Sequence, residues 1–81
     1  MDDKFSRSGQ TSSDSPLSIG AAVRQARRTH GLTQTQLAGL AGTGLRFISE
    51  LERGKPSVAL DKTLAVLAVL GLRFQISAAK P

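Results

Sequence analysis

Residues Gly31 to Gly54 read GLTQTQLAGLAGTGLRFISELERG, and the fold turns on how this stretch is punctuated. Thr33-Gln34-Thr35-Gln36 has capping-box spacing: the Thr33 side chain accepts from the Gln36 backbone while the Gln36 side chain reaches back. A helix therefore begins there, with Leu37, Ala38 and Ala41 on its apolar face. Gly42-Thr43-Gly44 breaks it after about two turns, and Thr43 is placed to cap the next helix. That helix runs from about Gly44 to Arg53, buries Ile48 and Leu51, and ends at Gly54 with Lys55-Pro56 beyond. Small residues at Ala38 and Gly42 let the two helices approach closely.

Towards the N-terminus, Ile19, Val23, Ala26 and His30 recur at helical steps while Arg24, Gln25 and Arg28 fall elsewhere. Pro16 suits a first turn, and Gly31 follows Arg27, Arg28 and His30 as a helix end requires. His30 beside a helix C-terminus reads as structural rather than as a ligand or catalyst. Residues 1–15 (MDDKFSRSGQTSSDS) are rich in Ser, Asp, Gly and Thr around a lone Phe5. They bury too little to offset ordering entropy and are expected to form a disordered arm.

Towards the C-terminus, Leu60, Leu64, Leu67 and Leu70 form one stripe, with Val66 and Val69 beside it, and Gly71 stops the helix. Leu72 to Ser77 then alternates apolar and polar, the period of a half-buried strand. A lone strand in a helical domain needs an outside partner for its backbone groups. The expected organisation is an N-terminal arm over 1–15, a helical domain over 16–71, a strand over 72–77 and a short tail over 78–81.

At 81 residues the chain holds one domain with a marginal core, of a size that usually needs a staple or a partner. It has no cysteine and one histidine, so disulfides, thiolate sites and a zinc site are excluded, and no metal or cofactor is expected. Catalysis needs a nucleophile, a base or a metal in a pocket. The helical part offers one His, the acids Glu50, Glu52 and Asp61, and no spare chain to wall a cleft, so no catalytic residue is assigned. Of 11 basic and 6 acidic residues, nine basic and three acidic fall after residue 15, and a compact domain with that excess attracts polyanions. No apolar run spans a bilayer and no secretory signal pattern opens the chain, so a cytoplasmic, nucleoid-associated protein without membrane contact is expected.

Three short helices, the second and third joined by a tight glycine turn, match the helix-turn-helix arrangement, with a plain helical bundle as the alternative on spacing alone. Gly31-Leu32-Thr33-Gln34, Leu37-Ala38, Ala41-Gly42, Ile48-Ser49 and Leu51-Glu52-Arg53-Gly54-Lys55 closely resemble the Xre/Cro-type repressor motif. The resemblance covers about residues 18–71. The run from Phe47 to Pro56, with the Leu60-Asp61-Lys62 helix and the terminal strand, looks more narrowly like HipB-like antitoxins. It implies an all-α, lambda-repressor-like bundle of four to five short helices, plus a C-terminal β-strand that pairs across a homodimer through Leu72, Phe74 and Ile76.

The same resemblance implies a division of labour on double-stranded DNA. Thr33 and Gln34 would contact a phosphate at a helix N-terminus, with simple capping (Thr33) or idle exposure (Gln34) as alternatives. Base contacts would come from Gly44, Leu45, Arg46 and Ser49. Arg46 would grip guanine O6 and N7, or else a phosphate. Gly44 and Leu45 stand where relatives carry polar residues, which leaves thymine methyls or DNA shape to be read. Glu50 either accepts from a cytosine amine or only solubilises its helix, and Phe47 packs rather than stacks on a base. Arg28, Arg53 and Lys55 are further phosphate contacts or solvated charges. Arg27 and Glu52 would form a partly buried structural ion pair. The implied protein is a homodimeric repressor on an inverted-repeat operator, acting as the antitoxin of a HipA-like kinase toxin. The alternatives are a stand-alone Xre-type regulator without a toxin and a protein-interaction module.

Overall fold

A computed structural model describes residues 15–78; the rest of the expected arm, residues 1–14, and tail residues 79–81 lie outside the described residues. Among the described residues four helices succeed one another: α1 (Pro16–Thr29), α2 (Gln34–Ala41), α3 (Leu45–Glu52) and α4 (Leu60–Val69). The described residues are all-α, as the family resemblance implies.

Ser15, which the sequence reading places in the arm, is the N-cap of α1. Its hydroxyl accepts from the Ser18 N–H at 3.1 Å, and its own N–H donates to the Ser18 hydroxyl at 3.2 Å. Serine replaces the usual Glu or Gln at the third position of this capping box. Pro16 occupies the first turn. In α2 the predicted capping box is present: Thr33 Oγ1 accepts from the Gln36 N–H at 3.0 Å, and the Thr33 N–H donates to Gln36 Oε1 at 2.8 Å. Gly42 closes α2 in the left-handed region, with φ 71° and ψ 32°. A side chain there costs roughly 1–2 kcal/mol, so glycine lets the chain turn at once into α3.

Thr43 does not cap α3. The N-cap is Gly44, which makes no side-chain cap bond, and the Thr43 hydroxyl lies 3.5 Å from the Gly44 carbonyl oxygen. Thr43 sits one residue too early and belongs to the close of α2, its N–H donating to the Ala38 carbonyl at 2.9 Å.

The core is drawn from all four helices: Val23, Leu37, Ala38, Ile48, Leu51, Val66, Leu67 and Leu70. Buried Gly20 is where α1 presses on the end of α3. A Cβ there would stand 2.8 Å from the Glu52 carbonyl oxygen and nearer still to that of Leu51. The expected stripe on α4 is rotated. Thr63, Val66 and Leu67 are its buried residues, whereas Leu60 and Leu64 are exposed. Thr63 is accommodated because its hydroxyl donates to the Ala59 carbonyl at 2.9 Å, leaving its methyl for the core. A helix apolar on nearly every side cannot show by periodicity which face is inward.

The expected strand over 72–77 is absent as a ladder: no strand is assigned among the described residues. The physical reason is the one visible in the sequence, since one chain offers this segment no partner. Leu72 packs against the core, while Phe74 is half exposed and Ile76 is 87% exposed. His30 is structural. Its Nε2 lies 3.1 Å from the Leu70 carbonyl oxygen, joining the ends of α1 and α4.

Candidate nucleic-acid interface

The side chains singled out in the sequence separate into a buried junction and an exposed face. At the junction, Arg27 Nε donates to Glu52 Oε2 at 2.6 Å and Arg27 Nη2 to Glu52 Oε1 at 3.0 Å. Arg27 Nη1 also donates to the Leu32 carbonyl at 2.8 Å. The two side chains are 11% and 4% exposed. This forked geometry ties α1 to α3 and to the loop before α2. Burial pushes the Glu52 carboxyl up, but the hydrogen bonds from Arg27 and Gln34 and the charges of Arg27 and Arg24 outweigh it. The carboxyl titrates below its ordinary value. Its bond to Glu52 holds the Arg27 guanidinium above its ordinary value.

Gln34 joins this junction, because its Nε2 donates to Glu52 Oε1 at 3.1 Å. Half of the side chain's donor capacity is therefore turned inward, and one amide hydrogen is left to face outward. At Thr33 the backbone N–H is taken by Gln36, and the hydroxyl oxygen has accepted one bond; its proton is still available to donate. The Thr33 constraint is the capping box that the sequence shows, whereas the Gln34 constraint is not visible there, since its partner lies 18 residues away.

The exposed face opens at Gly44 and Leu45, both exposed at the start of α3. Arg46 comes next, its side chain 92% exposed. Glu50, one turn along, is 21% exposed and lies between two cations: Oε2 is 3.5 Å from Arg46 Nε, and Oε1 is 3.2 Å from Lys55 Nζ. The Lys55 hydrogen bond, reinforced by the Lys55 and Arg46 charges, overcomes partial burial and holds its carboxyl below the ordinary value. Ser49 is partly buried, and its hydroxyl accepts from Arg53 Nη1 at 3.2 Å. Arg28 is exposed on α1. Phe47 packs against the core, with Lys62 Nζ 6.0 Å from its ring centre.

The structure thus links Glu52 with Arg27 and Gln34, Glu50 with Arg46 and Lys55, and Ser49 with Arg53. It places Leu72, Phe74 and Ile76 in a different region. Phe74 lines an apolar groove with Pro16, Ile19, Leu60 and Leu64. The bridging role of Glu50 is neither of the two roles the sequence suggests. The spacing of Arg46 and Glu50, four apart on one helix, was the available signal for half of it. Among the described residues no cluster of His, Asp or Glu could hold a metal ion, and no helix is long and apolar enough to cross a membrane.

The arrangement is matched elsewhere. The helix-turn-helix family (HTH_3) matches residues 23–76. The uncharacterized HTH-type transcriptional regulator y4mF of Sinorhizobium fredii is 51% identical over 63 residues, which span 78% of this chain and 83% of that protein. This chain belongs to that family of helix-turn-helix transcriptional regulators, which act by binding rather than by catalysis. Among solved structures, the clp gene regulator ClgR from Corynebacterium glutamicum is 33% identical over 70% of this chain, with a TM-score of 0.63. The chain spans 61% of ClgR. A HipB variant in complex with an O2 20mer is 29% identical, with a TM-score of 0.74, over 90% of this chain and 100% of HipB.

Proposed function

We propose that this protein is a homodimeric repressor that binds double-stranded DNA sequence-specifically at an inverted-repeat operator. The observation that carries the reading is the exposed start of α3. Gly44, Leu45 and Arg46 stand clear of the core immediately after the turn from α2, with Arg53 and Lys55 beyond the far end. The major groove is about 12 Å wide and admits one such helix. α3 enters it, Arg46 pairs with a guanine, and Ser49 contacts a base edge. Gly44 and Leu45 present only small or apolar surface, so their share is a thymine methyl or the shape of the duplex. α2 lies across the sugar-phosphate backbone. The Thr33 hydroxyl and the free Gln34 amide hydrogen donate to a phosphate, and Arg28, Arg53 and Lys55 neutralise others.

Leu72, Phe74 and Ile76 form the dimer contact by pairing residues 72–77 with their copy. Support comes from the exposed apolar side chains of Phe74 and Ile76 on a segment without a ladder of its own. The resulting two-fold axis requires half-sites about 34 Å apart, one turn of the duplex. The functional units are an arm over 1–14, a DNA-binding domain that starts at the Ser15 cap and runs to 71, and a dimerisation strand over 72–77, in a cytoplasmic, nucleoid-associated protein.

Likeness to HipB along its whole length supports an antitoxin role, in which the repressor also binds a HipA-like kinase toxin and regulates its own operon. Likeness to ClgR favours a second reading, a regulator without a toxin. A kinase encoded next to this gene and retained by the tagged protein supports the first; a neighbouring kinase that is not retained supports the second. The DNA reading is tested by mobility shift with the region upstream of the gene at several salt concentrations. A shift that weakens steeply with salt is expected. No shift at any salt overturns it and leaves an interaction module.

A further inference from the structure

Glu50 is an acid set among the bases of a surface that would meet phosphates. A carboxylate there repels DNA, and exposed ion pairs contribute little to folding. Its two oxygens are nevertheless divided between two cations on opposite sides, Arg46 at 3.5 Å and Lys55 at 3.2 Å. The carboxylate is the less exposed member of both pairs, at 21% against 92% for Arg46 and 48% for Lys55. It is a fixed post to which longer, freer side chains are tethered. Neighbouring Ser49 receives Arg53, so three cations are held by two adjacent residues of α3.

We propose that Glu50 is a positioning residue for sequence discrimination: it orients Arg46 for a base edge and withholds part of the positive charge from indiscriminate phosphate binding. The inference rests on the DNA reading above. A free Arg46 reaches many phosphates and guanines alike, because the guanidinium fork fits both. A tethered Arg46 must exchange the Glu50 carboxylate for its partner on DNA. A guanine placed where the tether directs Arg46, with two acceptors, replaces the lost bond and adds a second, whereas a phosphate lies off that direction. On other sequences the carboxylate remains as a nearby negative charge that weakens binding.

Two substitutions separate orientation from charge. Glu50→Gln removes the charge and should strengthen binding to non-operator DNA by up to about eightfold at 0.1 M salt, the weight of one added phosphate contact. The log–log salt slope should steepen by up to about 0.9, and the ratio of operator to non-operator affinity should fall. Glu50→Asp keeps the charge but is one methylene too short to hold both cations. Its salt slope should stay unchanged while the ratio falls. In an Arg46→Ala background, Glu50→Gln should no longer change the ratio. Thermal melts establish that each variant is folded, and binding is measured by anisotropy on operator and scrambled duplexes. Ratios unchanged in both Glu50 variants overturn the positioning role even though the wild type binds DNA. A wild type with no salt-dependent binding overturns the DNA reading, and the positioning role with it.

Discussion

α3 carries two glutamates, Glu50 and Glu52, and the chain treats them in opposite ways. Two residues on a helix are about 200° apart around its axis, so one points into the molecule and the other out. Glu52 meets Arg27 through two hydrogen bonds of 2.6 and 3.0 Å and is nearly closed off from water. Glu50 meets Arg46 at 3.5 Å with most of the arginine in solvent. The same pair of residue types is therefore architecture on one face and tuning on the other. Water decides the difference. Inside, a broken pair strands a charge with nothing to replace its partner. Outside, water and salt replace it at little cost, which leaves the pair free to respond to DNA.

Breaking the inner pair should have the largest effect on stability. Glu52→Ala leaves the Arg27 guanidinium unpaired and should destabilise the fold by about 3 kcal/mol in urea unfolding. This is the low end for a buried pair, because a shallow depression lined by Arg24 and Arg28 reaches Glu52. Replacing both partners together, Arg27→Met with Glu52→Leu, should cost less than the single change. The inner pair also predicts an acid limb. The folded-state Glu52 carboxyl titrates below its unfolded value, so its stabilisation is complete above about pH 4.3. It is lost as pH falls through the depressed folded value. Glu52→Gln should flatten that part of the stability–pH curve.

Gly20→Ala comes next. Its methyl would collide with backbone carbonyls of α3 that cannot swing aside, and about 1–3 kcal/mol of destabilisation is expected by the same measurement. Thr33→Ala removes the α2 cap and should cost about 1 kcal/mol. At the outer pair, Glu50→Gln should leave the melting temperature unchanged, and a large drop would erase the contrast between the two faces.

Much of this plan could be read in the residues, and the failures share a cause. The α2 capping box and the glycine helix ends are local, set by groups within a few residues, and the sequence shows them directly. The Arg27–Glu52 link spans 25 residues and was legible only through the family resemblance. Gln34 turning towards Glu52, His30 towards Leu70 and Glu50 towards Lys55 depend on how elements pack or on where a loop returns, which periodicity does not encode. Periodicity does not give the inward face of α4, because leucines surround that helix and Thr63, its hydroxyl satisfied by its own backbone, takes a core position. Whether Thr43 or the adjacent Gly44 caps α3 is a one-residue difference that only backbone geometry resolves. The segment 72–77 shows its alternation in sequence, yet alternation does not say whether another strand lies within reach.

The most direct test of the DNA-reading face is to titrate the full-length protein and its Arg46→Ala variant against the upstream duplex and a scrambled duplex by fluorescence anisotropy. Arg46→Ala should remain folded, lose roughly 1–3 kcal/mol of binding to the upstream duplex, and lose most of its preference over the scrambled one. A folded variant that keeps wild-type affinity and preference would contradict the assignment of α3 as the reading helix.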